Sequence, residues 1–285
     1  MSVLTEAPPA APASRGEVIY RHSLLVRITH WSNVLAILVL LLSGLQIFNA
    51  HPRLYWGVKG ADHDRPWVAM TAEPRGGDLR GFTKIGPLTL ETTGVLGASK
   101  YQGQWQRRGF PGWLTLPTYR DLTTGRLWHF FFAWVFVLNG LVYLLNAVAS
   151  GHLRRNLLPA RDQLTARHVI GNIVDHVRLK HPVGEEAKRY NVLQKATYLA
   201  VIFVLLPLML ITGLSMSPGV NAAAPWLLDL VGGRQSGRTL HFISAALIVL
   251  FVVVHVVEVF LAGVVNEMRS MITGRYRVAP GEPRP

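Results

Sequence analysis

The sequence predicts an all-α membrane protein: a four-transmembrane-helix bundle with a large extracytoplasmic loop between helices 1 and 2. Three observations carry this prediction. Half of the 285 residues are hydrophobic and only 16% are charged, and the mean hydropathy is positive, a profile unusual for soluble domains. Four apolar segments each approach the ~20 residues that cross ~30 Å of hydrocarbon as helix. Cations crowd some connections and spare others, as the positive-inside rule requires of a multi-pass chain.

The elements follow in chain order. Residues 1–17 begin with the Pro/Ala-rich "MSVLTEAPPAAPAS" and read as a disordered tail. No charged region precedes a short apolar core there, so the tail does not read as a cleavable signal. The first span, Trp31 to Phe48, has no charge. The second, Leu127 to Ala149, has His129 and Tyr143 as its ionisable groups. The third, Ala196 to Met216, is uncharged and contains Pro207, which should kink it. The fourth runs from Gly237 to Phe260 and carries His241, His255 and Glu258. These spans form a core domain of residues 18–275, followed by a tail of residues 276–285.

Orientation comes from the cations. Arg15, Arg21 and Arg27 precede the first span, and Arg269, Arg275, Arg277 and Arg284 follow the fourth. The second connection carries Arg154, Arg155, Arg161, Arg167, Arg178, Lys180, Lys188 and Arg189, whereas the third has Arg234 and Arg238. Both termini and the second connection are therefore expected to be cytoplasmic. The formal net charge of +13 then suits anionic membrane lipid rather than nucleic acid. The insertion at residues 50–126 falls on the outer side. It contains Trp56, Trp67, Trp105 and Trp113, and "LRGFTKIGPLTLETTGVLG" alternates short β-like runs with turn residues. It reads as a small ordered cap.

There are no cysteines, which excludes disulfides, thiolate zinc sites, iron–sulfur clusters and covalently attached haem. A metal centre must rest on His, Met or carboxylate ligands. Of eleven histidines, His30, His129, His241 and His255 sit within or at the mouth of apolar spans, where an ionisable group is costly unless it has a role. On one helix, His241 and His255 are about 21 Å apart along the axis and roughly 40° apart around it. They face the bundle at two levels. Depth pairs His129 with His241 on the outer side and His30 with His255 on the inner side. Facing imidazoles without thiols suit bis-histidine ligation of haem, here two haem b groups held noncovalently. Arg126 and Arg238 flank the outer pair and Arg27 the inner, placed to meet haem carboxylates or lipid headgroups. His22, eight residues before His30, is a backup ligand candidate. His152 reads as interfacial, His51 and His63 as loop residues, and His168, His176 and His181 have no ligand spacing. The sequence contains no P-loop, dinucleotide fingerprint or HExxH motif.

The strings "RITHW" (Arg27–Trp31), "GRLWHFFFAWVFV" (Gly125–Val137), "YNVLQK" (Tyr190–Lys195) and the two-histidine fourth span resemble the four-helix di-haem cytochrome b subunits of bacterial respiratory complexes. That group includes formate dehydrogenase gamma subunits and nickel–iron hydrogenase cytochrome b subunits. The outer loop and "GGRQSGRTLHF" are most similar to thiosulfate-reductase-type cytochrome b subunits. The resemblance covers about residues 18–275 and implies a multi-pass protein of a bacterial inner (plasma) membrane. It implies that His30 and His255 hold the cytoplasmic-side haem and His129 and His241 the outer one. It implies that Asn191 and Gln194, matching "YN-x-x-Q", line a quinone pocket for ubiquinone or menaquinone. Leu193 departs from the glycine of some relatives, and Glu258 is placed to relay protons. It further implies electron transfer between the quinone pool and a periplasmic molybdopterin oxidoreductase docked on the cap. The competing expectations are a hydrogenase-type cytochrome b subunit and a non-redox membrane transporter or anchor with a histidine proton relay.

Overall fold

A computed structural model of the chain describes residues 17–60, 64–151, 153, 158, 165, 170–171 and 192–278. Four helices in it are long and apolar enough to cross a membrane: Leu24–Phe48, Leu122–Ala149, Val192–Met216 and Arg234–Leu261. Each begins earlier than the uncharged segment alone indicated, and the first two have side-chain caps. Helix α1 (Leu24–Phe48) is capped by Ser23, whose Oγ accepts from Val26 N. Helix α2 (Leu122–Ala149) is capped by Asp121, which accepts from the N–H and hydroxyl of Thr124.

The third span is composite. Helix α3 (Val192–Ala200) passes through a π-helical turn at Val201–Leu205 into α4 (Leu206–Met216). Pro207 lacks an N–H and its ring crowds the carbonyl four residues back, so a wider turn just before it is the expected accommodation. Two short helices, α5 (Pro218–Ala223) and α6 (Trp226–Leu230), lead to α7 (Arg234–Leu261). The spans associate chiefly as two pairs, α1 against α2 and α4 against α7. Large apolar side chains face outward along them, among them Leu138, Leu145, Val253, Phe260 and Trp134, the last 66% exposed. A surface that apolar is stable only in lipid.

The chain is mostly rather than wholly helical. Between α1 and α2 lie β2 (Arg53–Leu54), β3 (Val68–Arg75), β4 (Asp78–Ile85) and β5 (Leu88–Glu91) in one antiparallel sheet, and a hairpin of β6 (Gly97–Tyr101) and β7 (Gln104–Arg108). The alternation read at residues 79–97 corresponds to β4, β5 and the start of β6. The hairpin lies close on the sheet where Gly97, at φ +80°, leaves room: a Cβ there would stand 2.3 Å from Thr71 O.

This cap is fixed to the helix ends. Its core of Leu54, Val68 and Met70 includes Phe48 of α1 and packs against Phe242 of α7. Asn49 binds the Phe110 backbone through both amide groups. Arg108 is 2% exposed and donates to Gln46 Oε1, Thr115 Oγ1 and Thr118 O. The first turn of α7 has Gly233 as its cap residue, which offers no side-chain acceptor. Gly57 O instead accepts from Gln235 N and Ser236 N at 3.0 and 3.1 Å, so a cap loop satisfies that helix terminus.

At the opposite end, β1 (Val18–Tyr20) pairs antiparallel with β8 (Arg275–Arg277), so residues at the start of the expected C-terminal tail are strand. Helix α8 (Val264–Thr273) folds back beside α1, where Arg27 donates to Ile272 O and Trp31 Nε1 donates to Met271 O at 3.1 Å. Arg21 pairs with Glu267 at 3.6 Å. Burial pushes the Glu267 carboxyl up, and Arg21 opposes that shift.

Candidate functional site

The four span histidines come together as two facing couples. His129 of α2 and His241 of α7 have ring centroids 6.3 Å apart with planes at 63°, near the cap end of the bundle. His30 of α1 and His255 of α7 have centroids 6.3 Å apart with planes at 67°, near the clasp formed by β1 and β8. Their placement follows from helix geometry: two α7 residues fourteen apart share a face about 21 Å apart in height.

At the cap end, small residues admit the imidazoles. A Cβ on Gly44 would lie 3.3 Å from His129 Cε1, and one on Gly213 would lie 3.4 Å from His241 Cε1. Hydroxyls orient the rings. Ser43 Oγ lies 3.1 Å from His129 Nδ1, and Leu40 O lies 3.2 Å from the same nitrogen. Thr212 Oγ1 lies 3.0 Å from His241 Nδ1. In both rings Nδ1 faces a hydroxyl oxygen that can only accept, so Nδ1 carries the proton and Nε2 keeps its lone pair. The hydroxyl protons are committed elsewhere: Ser43 donates to Val39 O and Thr212 to Leu208 O, each at 2.6 Å.

At the other end, His255 stacks on Phe251 at 5.9 Å and His30 lies edge-on to Trp31 at 5.4 Å. Asn139 of α2 donates to Thr29 O and Asn33 Oδ1 at 2.8 and 2.7 Å, tying α2 to α1 near His30.

The remaining candidates are placed as follows. Arg238 donates to Arg53 O and His51 O and lies over the Phe48 ring, so it fastens the cap to α7. Arg27 is engaged with the Ile272 carbonyl. Arg126 is exposed and lies 5.6 Å over the Phe130 ring. Gln194 sits half-buried in the first turn of α3, beside Lys195, which is buried and donates to Leu158 O at 3.3 Å. Asn191 lies outside the described residues, as do His63, His152, His168, His176 and His181. His22 precedes the Ser23 cap of α1, and its N–H bonds Gly274 O. It belongs to the clasp between the termini rather than to the helical face of His30. Glu258 is half-buried one turn beyond His255.

Sequence reasoning passed over Ser43 and Thr212. The signal was present as an internal repeat. "SGL" at Ser43–Leu45 recurs as "TGL" at Thr212–Leu214, and "GRLWHF" at Gly125–Phe130 as "GRTLHF" at Gly237–Phe242. The packing repeats too. A Cβ on Gly125 would meet Gln46 at 2.9 Å, two residues past Gly44, and one on Gly237 would meet Ser215 at 3.0 Å, two past Gly213. Each helix pair therefore supplies one hydroxyl–glycine step and one histidine to the cap-end couple. The couple near the clasp lacks this symmetry: the positions matching His30 and His255 in the repeat are Leu199 and Tyr143.

Four lipid-facing spans with histidines paired between them define an integral membrane protein of the cytochrome b class. The chain belongs to the prokaryotic cytochrome b561 family, whose profile matches residues 21–274. A protein of Azospira oryzae described as a putative protein-methionine-sulfoxide reductase subunit, YedZ1, is 28% identical over 261 residues, spanning 90% of this chain and 98% of the relative. No solved structure matches the chain.

Membership of a cytochrome b family implies haem b, and the residues present fit it. An imidazole nitrogen bonds a first-row metal at about 2 Å, so two rings gripping one iron from opposite sides have centres roughly 6 Å apart, the spacing both couples show. With Nδ1 protonated, His129 and His241 present Nε2 for ligation, and Gly44 and Gly213 keep side-chain bulk from beside them.

Proposed function

We propose that this protein is a di-haem cytochrome b subunit that moves electrons between the quinone pool and a redox partner docked on the cap. The observation that carries the reading is the pair of equal histidine couples, both at 6.3 Å and at different depths of one bundle. His129 and His241 hold one b-type haem, and His30 and His255 the second. The haems, when bound, supply reversible one-electron chemistry at two levels. Lying about 21 Å apart along α7 by helical rise, the two ligand levels allow electrons to cross the bilayer.

The chain's own residues do the rest. The helices hold the ligands at fixed depth, and lipid-facing side chains exclude water. Arg126, Arg238 and Arg27 put positive charge near the two levels, where haem carboxylates need it. Asn191 and Gln194 supply hydrogen bonds to a quinone carbonyl at the clasp end, and Glu258 passes protons there. The cation distribution supports cytoplasmic termini, with residues 50–126 on the outer side. The exposed Trp56 and Trp113, the latter 75% exposed, form part of the docking face. The partner is a periplasmic oxidoreductase, of the molybdopterin type by resemblance. The relative's description as a reductase subunit supports a partner of the redox kind.

A reduced-minus-oxidised visible spectrum of the purified protein, with haem quantified per chain, tests this reading. Two haems per chain are expected. His241→Ala should remove one spectral component and His30→Ala the other. A colourless protein made with ample haem supply, or loss of the same component in both variants, would sink the proposal.

A further inference from the structure

We propose that Ser43 and Thr212 are positioning residues that set the redox potential of the cap-end haem through its axial imidazoles, and leave the other haem alone. The inference rests on the two-haem reading above and concerns residues that reading does not use.

The hydroxyl geometry is the same on both sides of the cap-end couple. Each hydroxyl gives its proton to the carbonyl four residues back, Val39 O or Leu208 O, at 2.6 Å. Its oxygen therefore has only lone pairs to offer the neighbouring ring. His129 Nδ1 at 3.1 Å and His241 Nδ1 at 3.0 Å are placed to donate to it. On the His129 side, Leu40 O, three residues back from Ser43, lies 3.2 Å from the same nitrogen and accepts as well. Each Nδ1–H is thus given to a hydroxyl oxygen, and that of His129 is shared with a main-chain carbonyl. Accepting from Nδ1–H fixes the tautomer and raises the basicity of Nε2. A more basic axial ligand favours the ferric over the ferrous state, which lowers the potential.

The couple near the clasp is built differently. Among the described residues, no hydroxyl bonds either His30 or His255; rings of Trp31 and Phe251 flank them instead. The internal repeat places a hydroxyl–glycine step only at the cap-end level. Two chemically distinct surroundings on one α7 helix give two haems a built-in means of differing in potential, which is what a directed transfer between them uses.

The test is a potentiometric titration of the full-length protein in detergent, following both haems by visible spectroscopy. Ser43→Ala and Thr212→Val delete the hydroxyls while nearly preserving volume. Ser43→Thr and Thr212→Ser retain them. The deletions are expected to raise the cap-end haem's potential, changing its ferrous-to-ferric ratio at least threefold at fixed potential, or about 30 mV at about 59 mV per tenfold for one electron. The clasp-end haem should not move, and the hydroxyl-retaining variants should track the wild type. Haem content should stay at two per chain, which separates this test from that of the di-haem reading, where failure is absence of haem. An unmoved cap-end potential with both haems bound overturns the proposal. So do equal shifts in both haems, or loss of the cap-end haem in both deletion variants, which would make the hydroxyls structural only.

Discussion

Gly44 and Gly213 show how a single residue sets the cap-end couple. Each precedes a leucine and follows a hydroxyl, and each puts a hydrogen where a Cβ would press on an imidazole at 3.3 or 3.4 Å. A methyl there is tight; a branched side chain has no room in an interior packed to the density of an organic crystal. On the di-haem reading, Gly44→Val should displace His129, and haem content should fall from two to one per chain. The component removed should be the one lost in His241→Ala, measured by difference spectroscopy. Retention of both haems would mean that the ring has freedom the packing does not suggest. Arg108 is the residue-scale counterpart in the cap. It is buried without a carboxylate partner among the described residues, and its donors go to Gln46, Thr115 and Thr118. It serves as a cationic rivet between the cap and the end of α1, one turn from Gly44.

At the scale of elements, the start of α2 has a pH dependence with a defined sign. Asp121 is held below the usual carboxylate range, first by the Thr124 hydroxyl and then by the Thr124 and Thr123 N–H groups. Its folded value lies below its unfolded value, so the capping contribution is present above the unfolded range near ~4 and is lost as pH falls through the folded value. Exchange of the Thr123 and Thr124 amides, taken relative to its intrinsic rate at each pH, should therefore quicken on acidification below that range. In Asp121→Ala it should be fast, and it should not respond to pH beyond the intrinsic exchange rate. The spans themselves were legible from hydropathy because a bilayer demands an apolar run of fixed length. Their true starts were less so: Ser23 and Asp121 cap turns that belong to the helices but carry polar residues. That Pro207 disturbs the third span was legible, whereas the π-helical turn at Val201–Leu205 was not, since that depends on how α3 and α4 meet α7. Short apolar runs between Gly and Pro disclosed strands in the insertion, yet not that β6 lies so near Thr71 of β3 that a Cβ on Gly97 would stand 2.3 Å from the Thr71 carbonyl oxygen.

For the whole molecule, the two ends of the bundle are built as different machines. One end is closed by a β-rich cap that shares its core with α1 and α7. The other is closed by the pairing of β1 with β8 and by α8, whose exposed Val265 and Ile272 suit a helix lying in the membrane interface. The proposed orientation can be read directly because the chain contains no cysteine. In intact cells a membrane-impermeant maleimide should label Lys84→Cys, on the cap, and spare Arg275→Cys, in the clasp, until the membrane is opened. The reverse pattern would invert the topology and move the docking face to the cytoplasm. The amino-acid order by itself determined four spans, the identity of four histidines and their grouping by depth, because hydrophobic length and helical rise are local, one-dimensional quantities. The fold alone decided which side chains touch those histidines. Ser43 and Thr212 lie far in sequence from His129 and His241, and only the pairing of α1 with α2 and of α4 with α7 brings hydroxyl and imidazole within hydrogen-bonding distance.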